Sequence, residues 1–84
     1  AFIAFPGGTG TLEEISEVMS LSSLKLTKAP CILYNLNGYY EPLRLQLQRM
    51  VEAGLSSPER QEGIHFASDL REIQNILAEN SKNY

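Results

Sequence analysis

Three glycines fall within four positions in Pro6-Gly7-Gly8-Thr9-Gly10-Thr11-Leu12-Glu13-Glu14, the segment of the chain with the strongest chemical content. Glycine admits positive φ and close backbone approach, so successive N–H groups can turn towards one anion. The free N–H groups of a helix start, with the helix dipole behind them, add to that pull. Residues 1–24 contain no Lys or Arg. A phosphate bound here therefore rests on backbone amides and on the hydroxyls of Thr9 and Thr11, and a basic partner has to come from elsewhere.

Two familiar phosphate loops do not fit. A P-loop needs Gly-Lys-Ser/Thr after its glycines, and no lysine follows Gly10. The dinucleotide fingerprint G-x-G-x-x-G would begin at Gly8 and require glycine where Glu13 stands, and a long charged side chain there blocks helix–strand contact. A structural reading also competes. Thr11-Leu12-Glu13-Glu14 has the form of a capping box, with Thr11 as N-cap and Glu14 reaching back from N3. That explains Thr11 and Glu14 but not Gly7, Gly8 and Gly10 together, since each glycine loses backbone entropy on folding.

The elements that would position this loop can be read from apolar periodicity. Ala1-Phe2-Ile3-Ala4-Phe5 reads as a buried strand stopped by Pro6-Gly7-Gly8. Leu12, Ile15, Val18 or Met19, and Leu21 or Ser22 recur at helical steps and predict a helix over residues 11–26. Its start is acid-rich (Glu13, Glu14, Glu17), and Lys25 and Lys28 fall near its negative end. Pro30 restarts an extended chain. Cys31-Ile32-Leu33-Tyr34 is a second strand, closed by the turn Asn35-Leu36-Asn37-Gly38.

A second helix is predicted over residues 39–53, with Leu43, Leu47, Met50 and Val51 on one face and Gly54 as its stop. Residues 55–63 read as a polar loop and Ile64-His65-Phe66-Ala67 as a weaker third strand. Ser68 or Asp69 caps a third helix that carries Leu70, Ile73, Ile76 and Leu77 on one face, and residues 80–84 are expected to fray. The order β-α-β-α-β-α demands parallel strands joined by crossovers. Three such strands cannot be covered on both faces by three helices, so the expectation is the C-terminal half of a doubly wound, Rossmann-like α/β domain, with the N-terminal half of the sheet absent from residues 1–84.

Composition excludes several classes. The 84 residues carry seven basic and ten acidic side chains, for a formal charge of −3. That balance argues against a nucleic-acid partner, which would call for clustered Lys and Arg. No apolar run approaches the roughly 20 residues that cross a bilayer. The single Cys31 excludes an internal disulfide and a multi-cysteine zinc site, and points to a reducing, cytoplasmic setting. No metal or organic cofactor is implied, because neither a ligand cluster nor a dinucleotide fingerprint is present.

The segment from Pro6 to Glu14 resembles the PGGxGTxxE motif of the lonely-guy (LOG) family, long labelled lysine decarboxylases and comprising cytokinin-activating phosphoribohydrolases. The resemblance extends through Asn37-Gly38-Tyr39-Tyr40 and the helix after it. It implies that Gly7, Gly8, Gly10 and Thr11 hold the 5′-phosphate of a nucleoside 5′-monophosphate. It also implies that Glu14 works at the ribose beside an arginine from an earlier motif, which residues 1–84 do not contain. Breaking an N-glycosidic bond develops positive charge on the ribose ring, which a carboxylate stabilises. Glu13 and Glu14 lie about 100° apart on a helix and cannot both aim at one spot, so Glu14 is placed at the chemistry and Glu13 at the rim. Family members complete their site across a dimer, which implies a homodimer here.

The other candidates have plain structural readings. His65 lies in a short strand without spaced ligands, and Cys31 reads as a buried inert thiol. Tyr39 and Tyr40 open the second helix, either packing on its first turn or offering contact to a base or a second subunit. The expected function is hydrolysis of a nucleoside 5′-monophosphate, such as a cytokinin riboside 5′-monophosphate or an AMP-like nucleotide, to free base and ribose 5-phosphate. The rival is a non-catalytic nucleotide-binding module that uses the same loop. A decarboxylase is disfavoured, because Lys25 and Lys28 fall at the far end of the first helix from the loop.

Overall fold

The computed structural model describes residues 1–81. Its element order is β1 (Phe2–Ala4), α1 (Thr9–Ser23), β2 (Cys31–Tyr34), a 3₁₀ turn (Leu36–Gly38), α2 (Glu41–Glu52), a second 3₁₀ turn (Glu59–Gln61), β3 (Ile64–Ala67) and α3 (Leu70–Ser81). The strands form one parallel sheet in the order β1-β2-β3, with Ile3 beside Ile32 and Ile32 beside His65. The fold is α/β and Rossmann-like, as the alternation of strand and helix patterns predicts.

Alternate residues of each strand face opposite layers. Ala4, Cys31 and Leu33 pack against Ile15 of α1 and Tyr40 at the mouth of α2, with Val18, Met19 and Leu43 around them. On the other face Ile32 and Ala67 meet Ile73, Ile76 and Leu77 of α3. Two helices thus cover one face and one helix covers part of the other. Beyond the reach of α3, Ile3 and Phe5 are 40% and 60% exposed, and Phe5 packs edge-on against Tyr34 at a centroid distance of 5.6 Å. The face of β1 that carries Ile3 has no helix over it, so its apolar run is buried on one side only.

Helix ends depart from the periodicity reading in definite ways. α1 stops at Ser23, short of residue 26, because the chain turns into a left-handed position at Lys25 (φ 60°). The Lys25 N–H donates to the Ser22 carbonyl and the Leu26 N–H to that of Leu21, at 3.0 and 2.9 Å. These two bonds form a Schellman closure. α2 ends with the same pair of bonds around Gly54 (φ 77°), the position expected to stop it. Its start lies at Glu41 rather than residue 39, with Pro42 in the first turn, where a missing N–H has no consequence. Leu70 is exposed, so the apolar face of α3 begins at Ile73. Asn80, expected to fray, is helical, its amide donating to the Ile76 carbonyl at 2.9 Å; residues 82–84 of that expectation lie outside the described residues.

Candidate phosphate-binding site

The loop after β1 emerges at the carboxyl end of the sheet, where open α/β sheets bind ligands. Gly8 is the N-cap of α1, extended at φ −100° and ψ −153°, and no side chain bonds to the cap. Thr9 and Gly10 are already helical, and the first α-type bond runs from the Leu12 N–H to the Gly8 carbonyl at 3.1 Å. The N–H groups of Thr9, Gly10 and Thr11 accordingly have no i−4 partner.

The capping box expected at Thr11 does not form. That motif needs an extended Thr11, but the helix has wound back through Gly10 and Thr9, which puts Thr11 inside the first turn. For the same reason no acidic residue lies in that turn. Glu13 and Glu14 follow in the second, where the dipole's pull has faded. Both are exposed, and the Glu14 carboxylate makes no hydrogen bond or ion pair with a described residue.

The glycines act differently from the expected positive φ, which none of the three adopts. Gly7 is needed for close approach: a Cβ there would strike the Thr11 hydroxyl and lie 2.9 Å from the Thr11 Cβ. At Gly8 and Gly10 a Cβ would meet nothing within 4 Å. No contact within the described chain demands glycine at either place, and the space in front of both is open.

Beside the loop lies a cavity of about 390 Å³, walled by Gly7, Gly8, Leu12, Tyr39 and Pro42, with no basic side chain on its wall. The two tyrosines do more than pack. The Tyr40 hydroxyl donates to the Phe5 carbonyl at 2.6 Å, and the Tyr39 hydroxyl donates to the carbonyl of Gly7. Behind them, the Tyr40 N–H donates to Asn35 Oδ1 at 2.6 Å and Asn35 Nδ2 donates to Glu41 Oε1 at 3.2 Å. Arg44 closes the chain with Nε 2.9 Å from Glu41 Oε2. The Arg44 hydrogen bond holds the Glu41 carboxyl below its usual range, with the Asn35 amide helping and partial burial opposing. Burial, with Tyr39 alongside, raises the Tyr40 phenol, so it stays a neutral donor. Sequence reasoning missed these bonds. Paired tyrosines straight after an Asn-Gly turn were the available signal, but their carbonyl partners lie 32 and 35 positions away.

Other candidates stay apart from the loop. Cys31 is fully buried and its thiol is pushed up to about 11 by burial. His65 sits on the α3 face near Ile76 and Asn80, where burial lowers its basicity. Lys25 is tied to Glu62 at 2.6 Å, beyond the far end of α1. Among the described residues no group of three or more His, Cys, Asp or Glu is placed to hold a metal ion, and no helix is long and apolar enough to cross a membrane.

Residues 1–77 match the family described as "possible lysine decarboxylase". The chain belongs to that family. The lonely-guy resemblance carried by Pro6 to Glu14 agrees with this assignment. The chain is also 42% identical over 79 residues to a cytokinin riboside 5′-monophosphate phosphoribohydrolase of Arabidopsis thaliana, a match covering 94% of this chain and 37% of the relative. A protein of the same name from Rhodococcoides fascians is 40% identical over 70 residues, covering 83% of this chain and 35% of the relative. The chain therefore spans about a third of the length of these curated relatives.

Proposed function

We propose that this chain supplies the phosphate-holding half of a nucleoside 5′-monophosphate phosphoribohydrolase. In that reading the backbone N–H groups of Gly8, Thr9, Gly10 and Thr11 take the 5′-phosphate, with the Thr9 and Thr11 hydroxyls beside them and Gly7 keeping the loop tight. The bare cap at Gly8 with open space before Gly8 and Gly10 is the observation that carries it. Charge-assisted bonds from helix-start amides suit a dianion without any lysine.

Water adds to C1′ of the ribose as the bond from C1′ to the base nitrogen breaks. The nitrogen takes up a proton and leaves as free base, and the sugar leaves as ribose 5-phosphate. Glu14 stands one turn beyond Thr11, unpaired, and its carboxylate stabilises the positive charge on the ring. Glu13, around the helix, belongs to the rim. The names of the relatives favour a cytokinin riboside 5′-monophosphate as substrate, with AMP-like nucleotides as the wider class. The "decarboxylase" of the family description finds little support here, since Lys25 is engaged with Glu62 beyond the other end of α1.

We also propose that the three strands form one half of a larger doubly wound sheet. The half-exposed Ile3 and Phe5 and the open edge of β1 support this, as does the share of each relative that the chain covers. The arginine that would work with Glu14 belongs to the other half. Two copies of the complete protein are expected to form a homodimer, in a reducing cytoplasm where the lone Cys31 stays a thiol.

The test uses the complete protein. Glu14→Gln should keep nucleotide binding and lower turnover by about 100-fold or more, the effect of losing an electrostatic stabiliser. Unchanged turnover removes Glu14 from the chemistry. Equal binding of nucleoside and nucleotide contradicts the phosphate assignment. Since no basic side chain lines the cavity, a nucleotide-binding module without catalysis is the second reading. Tight nucleotide binding with no release of base by the unaltered protein would favour it.

A further inference from the structure

Tyr39 donates its hydroxyl to the Gly7 carbonyl, and the peptide it holds is Gly7-Gly8, the one glycine–glycine peptide of the loop. A peptide unit is planar and trans, so the Gly7 C=O and the Gly8 N–H point in opposite directions. Whatever fixes one fixes the other. Between two glycines no Cβ resists a flip of that unit, and a flip would turn the carbonyl oxygen, with its partial negative charge, to where the N–H had pointed.

We propose, resting on the phosphate-loop reading above, that Tyr39 is a positioning residue for the anion site. Its hydroxyl pins the Gly7 carbonyl on the Tyr39 side and so presents the Gly8 N–H to the phosphate with those of Thr9, Gly10 and Thr11. Tyr39 is itself held in place. It follows Gly38, whose φ of 73° turns the chain, and it precedes Tyr40, whose N–H is bonded to Asn35. The Asn35–Glu41–Arg44 chain then fixes the start of α2. At 51% exposed, Tyr39 contributes little to the core, so its hydroxyl can be removed with small effect on folding.

Tyr40 provides an internal contrast. It is buried and holds the Phe5 carbonyl, whose peptide leads into Pro6 and therefore carries no N–H. Its bond fixes the exit of β1 but orients no donor towards a ligand. The two neighbouring hydroxyls thus serve different ends.

Tyr39→Phe and Tyr40→Phe in the complete protein separate them. Ribose 5-phosphate binding is measured by calorimetry, KM and kcat on a nucleoside 5′-monophosphate by kinetics, and the melting temperature by calorimetry. Tyr39→Phe should weaken ribose 5-phosphate binding and raise KM by about 5- to 10-fold, the effect of losing one well-oriented hydrogen bond. It should change kcat less than about twofold and leave the melting temperature within a degree or two. Tyr40→Phe should lower the melting temperature and leave ribose 5-phosphate binding unchanged. Unaltered binding in Tyr39→Phe, an equal loss of binding in both variants, or unfolding of Tyr39→Phe would each overturn the role of Tyr39. Failure of the unaltered protein to bind ribose 5-phosphate would instead overturn the proposed function on which it rests.

Discussion

Two helices of this chain begin at the same end of the sheet, and they begin in opposite ways. α3 closes its own start: Asp69 Oδ1 accepts from the Glu72 N–H at 2.9 Å, and Glu72 Oε2 accepts from the Ser68 N–H at 3.3 Å. α1 has no such closure, although a threonine and two glutamates stand within reach in sequence. The same backbone problem, unpaired N–H groups at a helix start, is solved internally in one case and left open in the other. Both follow edge strands of the sheet, but the cavity beside the open one is bounded by tyrosines whose hydroxyls bond carbonyls and leave the amides free. The contrast marks which helix start is left without internal partners for its amides.

Three substitutions break or sharpen that contrast. The largest effect is expected of Gly8→Val. A Cβ there meets nothing within 4 Å at an ordinary extended φ, and valine is a poorer N-cap than glycine, so the melting temperature should fall only modestly. Ribose 5-phosphate binding should fall by about 100-fold, equivalent to one or two charge-assisted bonds of roughly 1.5–3 kcal/mol each. Retained binding would mean that the open space is not the anion's. Gly7→Ala comes next and acts on stability: its Cβ runs into Thr11, which should destabilise the fold by about 1–3 kcal/mol in a denaturant titration. An unchanged midpoint would show that the Gly7–Thr11 approach is not constrained. The smallest effect belongs to the closed helix. Asp69→Ala should lose about 1 kcal/mol of stability and leave ribose 5-phosphate binding untouched. A loss of binding there would erase the distinction between the two helix starts.

The strands were legible in the sequence wherever turn residues bounded them. β2 and β3 match their apolar runs residue for residue, and Gly54 stops α2 as its position implies. The start of α1 was not. Thr11-Leu12-Glu13-Glu14 has every local mark of a capping box, but the helix begins two residues earlier, at Thr9, although glycine and threonine are poor helix formers. Local propensity could not decide between these starts. The identity of the glycine loop was legible because its types and spacing are rare together, whereas its geometry depends on Tyr39 and Tyr40, contacts set where the residues just before α2 meet those just after β1. The exposed Ile3 and Phe5 likewise read as core residues in sequence and lie open because α3 does not reach over them.

The central claim concerns four amides, and amides can be observed one at a time. Titrating ¹⁵N-labelled complete protein with ribose 5-phosphate should move the N–H resonances of Gly8, Thr9, Gly10 and Thr11 downfield in a saturable way, while those of Ser68 and Glu72 at the closed helix stay in place. Saturable binding that leaves the loop amides unmoved would contradict it.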